Sequence, residues 1–519
     1  MTFADVVGML NGVVWALPLV ILLLLAGLYF TLRTVFLQIR CIPDMVSQLK
    51  KGESSPDGTS SFQSLMMSLA GRVGMGNIGG VATAIALGGP GAVFWMWVIA
   101  LLGAATSFIE CTLGQIYKEK DLDTGEYRGG PAYYIEKAYK HTAAAPVFKV
   151  YAAAFAVLTI IAMCFFLPGV QGNGVSSAVF EAWNIPHWMT AVGLIILLAF
   201  IIIGGVKRIA HFAMIVVPIM AILYIILALV VFFVNFDQIG HVFGTIFSSA
   251  FGMNAAFGAI VGKAIEMGVK RGLYSNEAGQ GTGPHAAAAA EVSHPAKQGF
   301  AQSFAVYVDT LFVCTATAFL IISTNMYQVF ALDEETVLYQ GAIPEGTDYG
   351  PEYAQNGFET VFQGLGPTFV AIALFFFAFT TIVAYYYMAE VNLTYLNRFI
   401  PSRTVRRVLI RCLQALILVS VVYGSVATTG DAWALGDVGV GLMAWLNVVA
   451  ILIMQGPALK ALKDYQQQKK QGLDPQFDPR NVGIRNAEFW ELRADGLITP
   501  GATGEEIAGR TKGPETRPL

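Results

Sequence analysis

The sequence has 519 residues, of which 55% are hydrophobic and 13% are charged, and its formal net charge is −3. Charged residues are about half as frequent as in a typical soluble domain. This composition excludes an ordinary soluble globular protein and predicts a polytopic membrane protein. The five cysteines have no CxxC or metal-ligand spacing. No nucleophile–base pair or phosphate-binding loop is apparent either, so we expect neither an enzyme nor a cofactor.

Apolar stretches of roughly 20 residues, the length that crosses ~30 Å of hydrocarbon, recur along the chain. The first could be mistaken for a signal peptide, but its leader contains Asp5 and no Lys or Arg, so we interpret it as a membrane helix. Eleven spans are predicted, near residues 12–32, 62–87, 91–116, 148–168, 189–206, 210–234, 242–267, 300–324, 367–396, 408–428 and 434–456.

The distribution of Lys and Arg predicts the orientation, because basic residues are retained on the cytoplasmic side of short loops. With the N-terminus outside, every basic residue except Arg72 falls in a predicted inner segment, and the predicted outer loop 325–366 contains acids and no base. The basic residues therefore follow topology, and we expect no nucleic-acid partner. We predict a plasma (bacterial inner) membrane protein with a cytoplasmic C-terminus. The predicted inner segments are 33–61, 117–149, 204–211, 261–299, 397–411 and 457–519.

Span two contains the stretch "GRVGMGNIGG", residues 71–80, in which five glycines surround one Asn. A helix interrupted at mid-membrane exposes main-chain groups that lipid cannot satisfy but that a polar solute can. The outer half-helix, which begins near Gly76 and Asn77, presents free N–H groups suited to a carboxylate. The inner half-helix, which ends near Arg72 to Gly74, presents carbonyls suited to a cation. A zwitterion and a metal ion fit these two ends, whereas close packing of small residues is the alternative.

A second glycine-interrupted stretch, "SSAFGMNAAFGAIVG" at 248–262, lies in span seven, five spans after the first. Because five is odd, the second half crosses the membrane in the opposite sense, as in transporters built from inverted repeats. The predicted fold is an all-α membrane protein with two five-helix repeats and one extra helix. The boundaries are 1–60 (extra helix and cytoplasmic loop), 61–240 and 241–456 (repeats), and 457–519 (cytoplasmic tail with one short amphipathic helix).

Several stretches resemble signatures of the alanine/glycine:cation symporter family, the sodium:alanine symporters. They are "GRVGMGNIGGVATAIALGGPGAVFWMW", "GGPAYYI", "LPGVQGN", "KRGLYSNEAGQGTGPHAAAA" and "FAFTTIVAYYYMAE". The resemblance covers most of residues 60–460 and implies the inverted five-plus-five fold of the bacterial leucine transporter, preceded by one extra helix. It also implies that Gln171 faces the substrate, although an outer turn is the alternative. Met75 stands where the family pattern often has Thr.

The candidate substrate site is built around the first break. Gly74, Met75, Gly76 and Asn77 would contact the solute, although Asn77 could merely cap the outer half-helix. In the second break, Phe257 would form the cavity floor and Gly258 would offer a main-chain contact, and a core position is equally open for Phe257. Tyr385 lies about one helical turn beyond two threonines in span nine.

The candidate cation site uses those threonines, Thr380 and Thr381, together with main-chain oxygen near Gly74. Hard oxygen ligands are what Na⁺ requires, as other hard cations do. Back-bonding of each hydroxyl to the carbonyl four residues earlier is the alternative.

Arg72 is the one basic residue that orientation does not explain, and a charge within a span needs a partner. We expect an inner-gate ion pair with Glu110 or Glu266, and snorkelling or a static pair is the alternative. Asp309 and Glu390 are further functional candidates because they also lie in predicted spans.

The sequence thus predicts a secondary transporter that imports a small neutral amino acid, alanine or glycine, with Na⁺. A proton-coupled transporter or exchanger on the same scaffold would need an ionisable group at the site, and apart from Arg72 none is expected at either break. A channel or a receptor is disfavoured by the paired broken helices.

Overall fold

The computed structural model describes residues 3–50, 58–121, 125–203, 206–254 and 257–498. Most of these residues are helical. The first half contains α1 (Phe3–Val14), α2 (Leu17–Arg33), α3 (Leu37–Arg40), α4 (Ile42–Lys50), α5 (Ser61–Arg72), α6 (Val81–Gly88), α7 (Gly91–Ile116), α8 (Pro131–Ala138), α9 (Ala145–Ile161), α10 (Leu167–Trp183), α11 (His187–Ile202) and α12 (Val206–Val234).

The second half contains α13 (Ile239–Ala250), α14 (Val261–Asn276), α15 (Gly283–Ala289), α16 (Pro295–Val306), α17 (Thr315–Ser323), α18 (Pro351–Glu359), α19 (Gly366–Asn397), α20 (Arg403–Val426), α21 (Thr429–Lys470) and α22 (Glu488–Ala494). Two antiparallel hairpins lie in the connections, β1 (Glu119–Lys120) with β2 (Tyr127–Arg128) and β3 (Gln328–Phe330) with β4 (Val337–Gln340). Short π-helical or 3₁₀ turns complete the helical part, at Gly76–Gly80, Ala162–Phe166, Phe236–Gln238, Gly258–Ile260 and Tyr307–Cys314.

Within the described residues, seven helices are long and apolar enough to cross a membrane, or eight if the bent pair α1 and α2 forms one span. Other predicted spans coincide with shorter helices, because glycine-rich stretches interrupt them: 62–87 with α5 and α6, and 242–267 with α13 and part of α14. The membrane class is therefore supported by length and composition, whereas the count of eleven spans stays a prediction.

The first break forms where predicted. A capping box starts α5, because Ser60 accepts from Gln63 N–H while the Gln63 side chain accepts from Ser60 N–H. The helix ends at Arg72, and Val73 is extended, with φ −78° and ψ 95°. The chain then resumes as the π-helical turn Gly76–Gly80, which continues directly into α6. Such turns are frequent at functional sites.

The second break differs from the prediction. Helix α13 does end at Ala250, but α14 then runs from Val261 to Asn276 into the core, and a second non-helical segment follows at Glu277–Thr282 before α15 begins. Gly279 and Gly281 have φ of +92° and +87°, values that favour glycine. The interior interruption of the second half is therefore 277–282, and the prediction that 248–262 carries it is wrong.

The predicted span 148–168 is also longer than expected. Helices α9 and α10 join through the π-helical turn Ala162–Phe166 and form one helical unit, Ala145–Trp183, of 39 residues. Pro168 lies in the first turn of α10, where its missing N–H is tolerated. Gln171 is therefore on a buried helix, and the alternative of an outer turn is excluded.

Part of the predicted inner segment 261–299 contacts the predicted outer loop 325–366. Lys263 at the start of α14 forms an ion pair of 3.2 Å with Glu334 of that loop. Two turns further along α14, Lys270 and Arg271 both pair with Asp437 of α21 inside the protein, at 3.0 and 2.8 Å. These three bases therefore have specific acidic partners, and the predictions that 261–299 is inner and 325–366 is outer cannot both hold where Lys263 meets Glu334.

The C-terminal tail packs against the helical body through its predicted short helix, α22. Trp490 is buried and donates its indole N–H to the Gln115 carbonyl at 2.9 Å. The ammonium group of Lys118 lies over the Tyr127, Phe489 and Trp490 rings. This contact ties the tail to the end of α7 and to the hairpin that follows it. The Gly/Thr/Pro-rich end of the tail lies outside the described residues.

Candidate functional site

The first break leaves two main-chain N–H groups that bond to side chains instead of to a helix. Gly74 N–H donates to the Asn77 side-chain oxygen at 2.8 Å, and Met75 N–H donates to the Gln171 side-chain oxygen at 2.9 Å. A methyl group added at Gly74 would lie 2.8 Å from that Gln171 oxygen. The structure thus places an acceptor oxygen from α10 at the Met75 N–H group, which is a position that a carboxylate would favour.

A carboxylate lies directly behind this break. Asp309, fully buried in the π-helical turn between α16 and α17, accepts from the Asn77 amide at 2.6 Å. The same carboxylate also accepts from the Ser275 hydroxyl at 2.9 Å and from the Thr310 hydroxyl at 2.7 Å. Asp309 therefore links the first break to α14, and the expectation that Arg72 is the lone ionisable group at either break is wrong.

The hydroxyl of Thr381 lies among three main-chain carbonyls. Its oxygen is 2.9 Å from the Ala70 carbonyl, 3.2 Å from the Val73 carbonyl and 2.9 Å from the Phe377 carbonyl. A hydroxyl has one proton and can donate only one full hydrogen bond. Two of the three carbonyls are therefore left with free lone pairs that face the same point, as in an oxygen shell for a cation.

Thr380 is buried one residue earlier on α19, and its hydroxyl oxygen lies 3.0 and 2.9 Å from the carbonyls of Phe376 and Phe377, which share its one proton. This is the back-bonding that the sequence left open as the alternative. It shares the Phe377 carbonyl with Thr381. The two hydroxyls and this carbonyl therefore form one cluster beside the end of α5.

Bulky side chains fill the space around the break. Met75 is buried and lies against Gly79 and Gly174, where a methyl group would come within 2.1 and 2.2 Å of its side chain. The Tyr385 hydroxyl contacts both Tyr274 and Gln171. The predicted positions Gly74, Met75, Gly76, Asn77, Gln171, Thr380, Thr381 and Tyr385 are thus brought together.

The structure does not bring Phe257 and Gly258 into this group. The Phe257 ring packs 5.7 Å from the Tyr339 ring of hairpin β3–β4 and lies against Gly89 at the end of α6. Gly258 begins a 3₁₀ turn, and a methyl group there would meet only the Gly252 carbonyl, at 3.6 Å. Both residues lie in the connection between α13 and α14. The interior break of the second half is a different segment, 277–282.

Arg72 and Glu110 both face the second break. Arg72 is buried and donates to the Gln302 carbonyl at 3.1 Å and to the Ser107 hydroxyl at 3.5 Å. Glu110 accepts from the N–H groups of Gly279 and Gly281, at 3.1 and 3.2 Å. A methyl group at Gly283 would lie 2.9 Å from the Arg72 guanidinium and 4.0 Å from the Glu110 carboxylate, which places the two side chains near the same point beside this glycine.

Glu266 lies elsewhere. Its carboxylate pairs with Lys263 at 3.6 Å, and Lys263 also pairs with Glu334. The alternative that Glu266 is the partner of Arg72 is therefore wrong, because Glu266 is at the opposite end of α14 from the break.

A cavity of about 640 Å³ opens on the side of the loop 325–366. Its lining includes Asn173 and four acids, Glu181, Glu345, Asp348 and Glu352. Burial is the main cause that raises the pKa of Glu352 to about 8, and the negative charges of Asp348 and Glu181 act in the same direction. Acids that line a cleft concentrate cations in it.

Comparison with known proteins identifies the family to which this chain belongs. The sequence profile of the sodium:alanine symporter family matches residues 1–479. The chain belongs to the sodium:alanine symporter family. It is 54% identical over 488 residues to a Bacillus subtilis protein named putative sodium/proton-dependent alanine carrier protein YrbD, which covers 94% of this chain and 98% of the relative. It is 47% identical to the sodium/proton-dependent alanine carrier protein of Bacillus sp. PS3, over 86% and 97% of the two chains.

A third relative comes from an archaeon. The sodium/alanine symporter AgcS of Methanococcus maripaludis is 36% identical over 91% of this chain and 99% of its own length. These relatives are named as carriers or symporters, not as enzymes. This member of the sodium:alanine symporter family is therefore a secondary transporter and a membrane protein.

Sequence reasoning missed two polar residues of the candidate site, Ser275 and Glu277, and it named Asp309 as a functional candidate without placing it at the first break. Asp309 stands out in the sequence as a costly buried charge, but its contact with Asn77 is between residues 232 positions apart. Glu277 is buried beside the first break, within 3.5 Å of a methyl group placed at Gly71. The stretch "YSNEAGQG" held the available signal, because two glycines close to polar residues directly after a helix indicate an interruption.

Proposed function

We propose that this protein imports a small neutral amino acid, alanine or glycine, together with Na⁺ by alternating access. The observation that carries the proposal is the convergence of the Ala70, Val73 and Phe377 carbonyls on the Thr381 hydroxyl, next to main-chain N–H groups of the break that donate to side chains. The names of the relatives support alanine and Na⁺. In proteoliposomes, an imposed Na⁺ gradient should drive uptake of labelled alanine, and equal uptake with choline in place of Na⁺ would contradict the proposal.

In this proposal the amino acid binds at Gly74, Met75, Gly76 and Asn77, with its carboxylate at the Met75 N–H group that now donates to Gln171. The Gln171 oxygen would move aside to admit the carboxylate, and the Tyr385 side chain would form one wall of the substrate site. Met75 leaves little room beside the break, so the substrate is small. Na⁺ would be held by Thr380, Thr381 and main-chain oxygen at the end of α5, with Gly74 beside them.

A proton as the coupling ion is the second candidate, and Asp309 favours it. Its carboxylate is buried and bonds to Asn77 of the break, so its charge can follow substrate binding. Two relatives are named sodium/proton-dependent carriers. If Asp309 carries the proton, Asp309→Asn should abolish uptake driven by a pH gradient without Na⁺, while alanine exchange across the membrane at constant pH persists. Unchanged pH-driven uptake in Asp309→Asn would exclude this role.

We propose Arg72 and Glu110 as an inner gate that forms and breaks during the cycle. Glu110 is held by the second break and Arg72 ends the first half-helix, so a movement of either half changes their separation. Arg72→Gln and Glu110→Gln should each slow transport by about tenfold, and the double variant should be no slower than the slower single variant, since coupled residues are not additive. Independent, multiplying effects would count against the gate.

The inverted arrangement of 61–240 and 241–456, eleven spans, and a membrane orientation with the N-terminus outside remain part of the proposal. A cysteine placed at Glu345 of the acidic loop should react with an impermeant thiol reagent added outside cells. One placed at Lys140, an exposed residue of the basic segment 117–149, should not. The native Cys412 is exposed and is first replaced by Ser. The reverse labelling pattern would invert the proposed orientation.

A further inference from the structure

A second cavity, of about 610 Å³, lies where the end of α19 and the start of α20 meet the hairpin β1–β2. Six basic and three acidic side chains are among its lining residues, which gives an excess of three positive charges. The basic residues come from separate segments of the chain and converge on one cavity. A preference of basic residues for one side of the membrane does not by itself require them to meet. The basic residues of the cavity are Lys120, Arg128, Arg398, Arg403, Arg406 and Arg407.

The three acids of this cavity form ion pairs with two of its arginines. Arg128 pairs with Asp121 at 2.7 Å and with Glu390 at 3.7 Å. Arg398 pairs with Glu119 at 3.6 Å. The excess charge therefore lies on the α20 side of the cavity.

Arg403 and Arg407 are exposed on the first two turns of α20 and pair with no acidic side chain within the described residues. Their spacing of four places them on one face of the helix, about 6 Å apart, where like charges repel. The N-terminus of α20 adds its partial positive charge at the same place. An anion is the partner that this end of the cavity lacks, and a guanidinium group fits a phosphate with two parallel hydrogen bonds.

An apolar surface lies further round α20 from the cavity. Val405 and Val408 are 45% and 53% exposed, and with Val419 and Val426 they form an exposed apolar side of the helix, roughly 100° or more round from Arg403 and Arg407. A free phosphate would use the arginines alone, whereas a phospholipid would use the arginines and this surface together. Basic pockets at helix ends are also where anionic headgroups bind in membrane proteins.

We propose that this cavity, which we call the α20 pocket, binds the phosphate group of an anionic phospholipid whose acyl chains follow the exposed apolar side of α20. Arg403 and Arg407 hold the phosphate, and Arg406 and Lys120 lie at the same cavity. The pocket is separate from the break, so the inference is independent of the proposed transport function.

The test uses the full chain in detergent and titrates phosphatidylglycerol, with bound lipid counted by native mass spectrometry. The double variant Arg403→Gln/Arg407→Gln should weaken phosphatidylglycerol binding by about tenfold or more, given the usual contribution of each basic residue to anionic lipid binding. The control Arg411→Gln/Arg485→Gln removes two exposed charges outside the pocket and should change binding by less than about twofold.

Equal phosphatidylglycerol binding in the wild type and the pocket variant would overturn the proposal. So would phosphatidylcholine binding as tightly as phosphatidylglycerol. A parallel titration with inorganic phosphate separates the two sources of a phosphate group. If phosphate binds in a manner that Arg403→Gln/Arg407→Gln abolishes, while the lipid shows no such dependence, the lipid is overturned as the ligand.

Discussion

Gly74→Ala should reduce alanine uptake by roughly a hundredfold, which corresponds to about 2.7 kcal/mol. The added methyl group would lie 2.6 Å from the Thr381 hydroxyl and 2.8 Å from the Gln171 oxygen, so both must move. Overpacking of this kind costs about 1 to 3 kcal/mol. One methyl group thus displaces both Thr381, the proposed cation ligand, and Gln171, which accepts from the Met75 N–H group of the proposed substrate site. Initial rates of labelled alanine uptake in proteoliposomes measure the effect.

The matched control is Gly193→Ala in the apolar helix α11, where the added methyl group meets no atom within 4 Å. It should transport at the wild-type rate. Both variants should be inserted, and the overpacking cost of about 1 to 3 kcal/mol should lower the unfolding temperature of Gly74→Ala by only several degrees, which separates a local effect from a folding defect. Near-normal uptake by Gly74→Ala would remove the break from the transport site.

Thr381→Val should raise the Na⁺ concentration for half-maximal uptake by roughly tenfold, or about 1.4 kcal/mol. Valine keeps the shape of threonine and removes the oxygen around which the three carbonyls converge. No carboxylate is bonded to this hydroxyl within the described residues, so the site is a neutral-ligand one, which suits an ion that must be released. Thr380→Ala should change Na⁺ dependence in the same direction, because Thr380 shares the Phe377 carbonyl.

The control here is Thr159→Val in α9. Thr159 is buried and its hydroxyl donates to the Phe155 carbonyl at 2.9 Å, the same back-bond within a helix, and within the described residues no hydrogen bond joins its side chain to the first break. Its Na⁺ dependence should be that of the wild type. If Thr381→Val and Thr159→Val behave alike, Thr381 is not a cation ligand.

The first break could be predicted because its signal is local. Five glycines and one Asn within ten residues of an apolar span do not suit a continuous membrane helix, and the structure ends α5 at Arg72 and resumes helix at Gly76. Gln171 could be reached only through family resemblance, because nothing in "LPGVQGN" shows which helix face meets Met75. Pro168 and the glycines around it suggest that the span ends, whereas the π-helical turn before Pro168 lets the helix continue.

The second break could not be placed from the sequence because two stretches carry glycines and only one of them lies in the interior. In 248–262 the glycines join two helices near the surface, while in 277–282 Gly279 and Gly281 adopt positive φ and offer their N–H groups to Glu110. Hydropathy favours the first stretch, since the second contains Glu, Gln and Thr. A polar, glycine-rich segment is tolerated in the interior because Glu110 and Asn447 bond to its main chain.

Asp309 marks the limit of sequence reasoning in this chain. Its partners Asn77, Ser275 and Thr310 come from three parts of the fold, and only Thr310 is adjacent in sequence. A buried carboxylate that accepts three hydrogen bonds has a structural role in any case. Whether its proton also takes part in transport is what Asp309→Asn tests.

The central claim is that the amino acid and Na⁺ bind on the two sides of one broken helix, and equilibrium binding tests it most directly. Where one ligand changes the affinity of a protein for another, the second changes the affinity for the first by the same factor. In purified protein, Na⁺ in place of choline should increase alanine affinity, alanine should increase Na⁺ affinity by the same factor, and Thr381→Val should reduce that factor. Alanine affinity that is identical in Na⁺ and in choline would contradict the account.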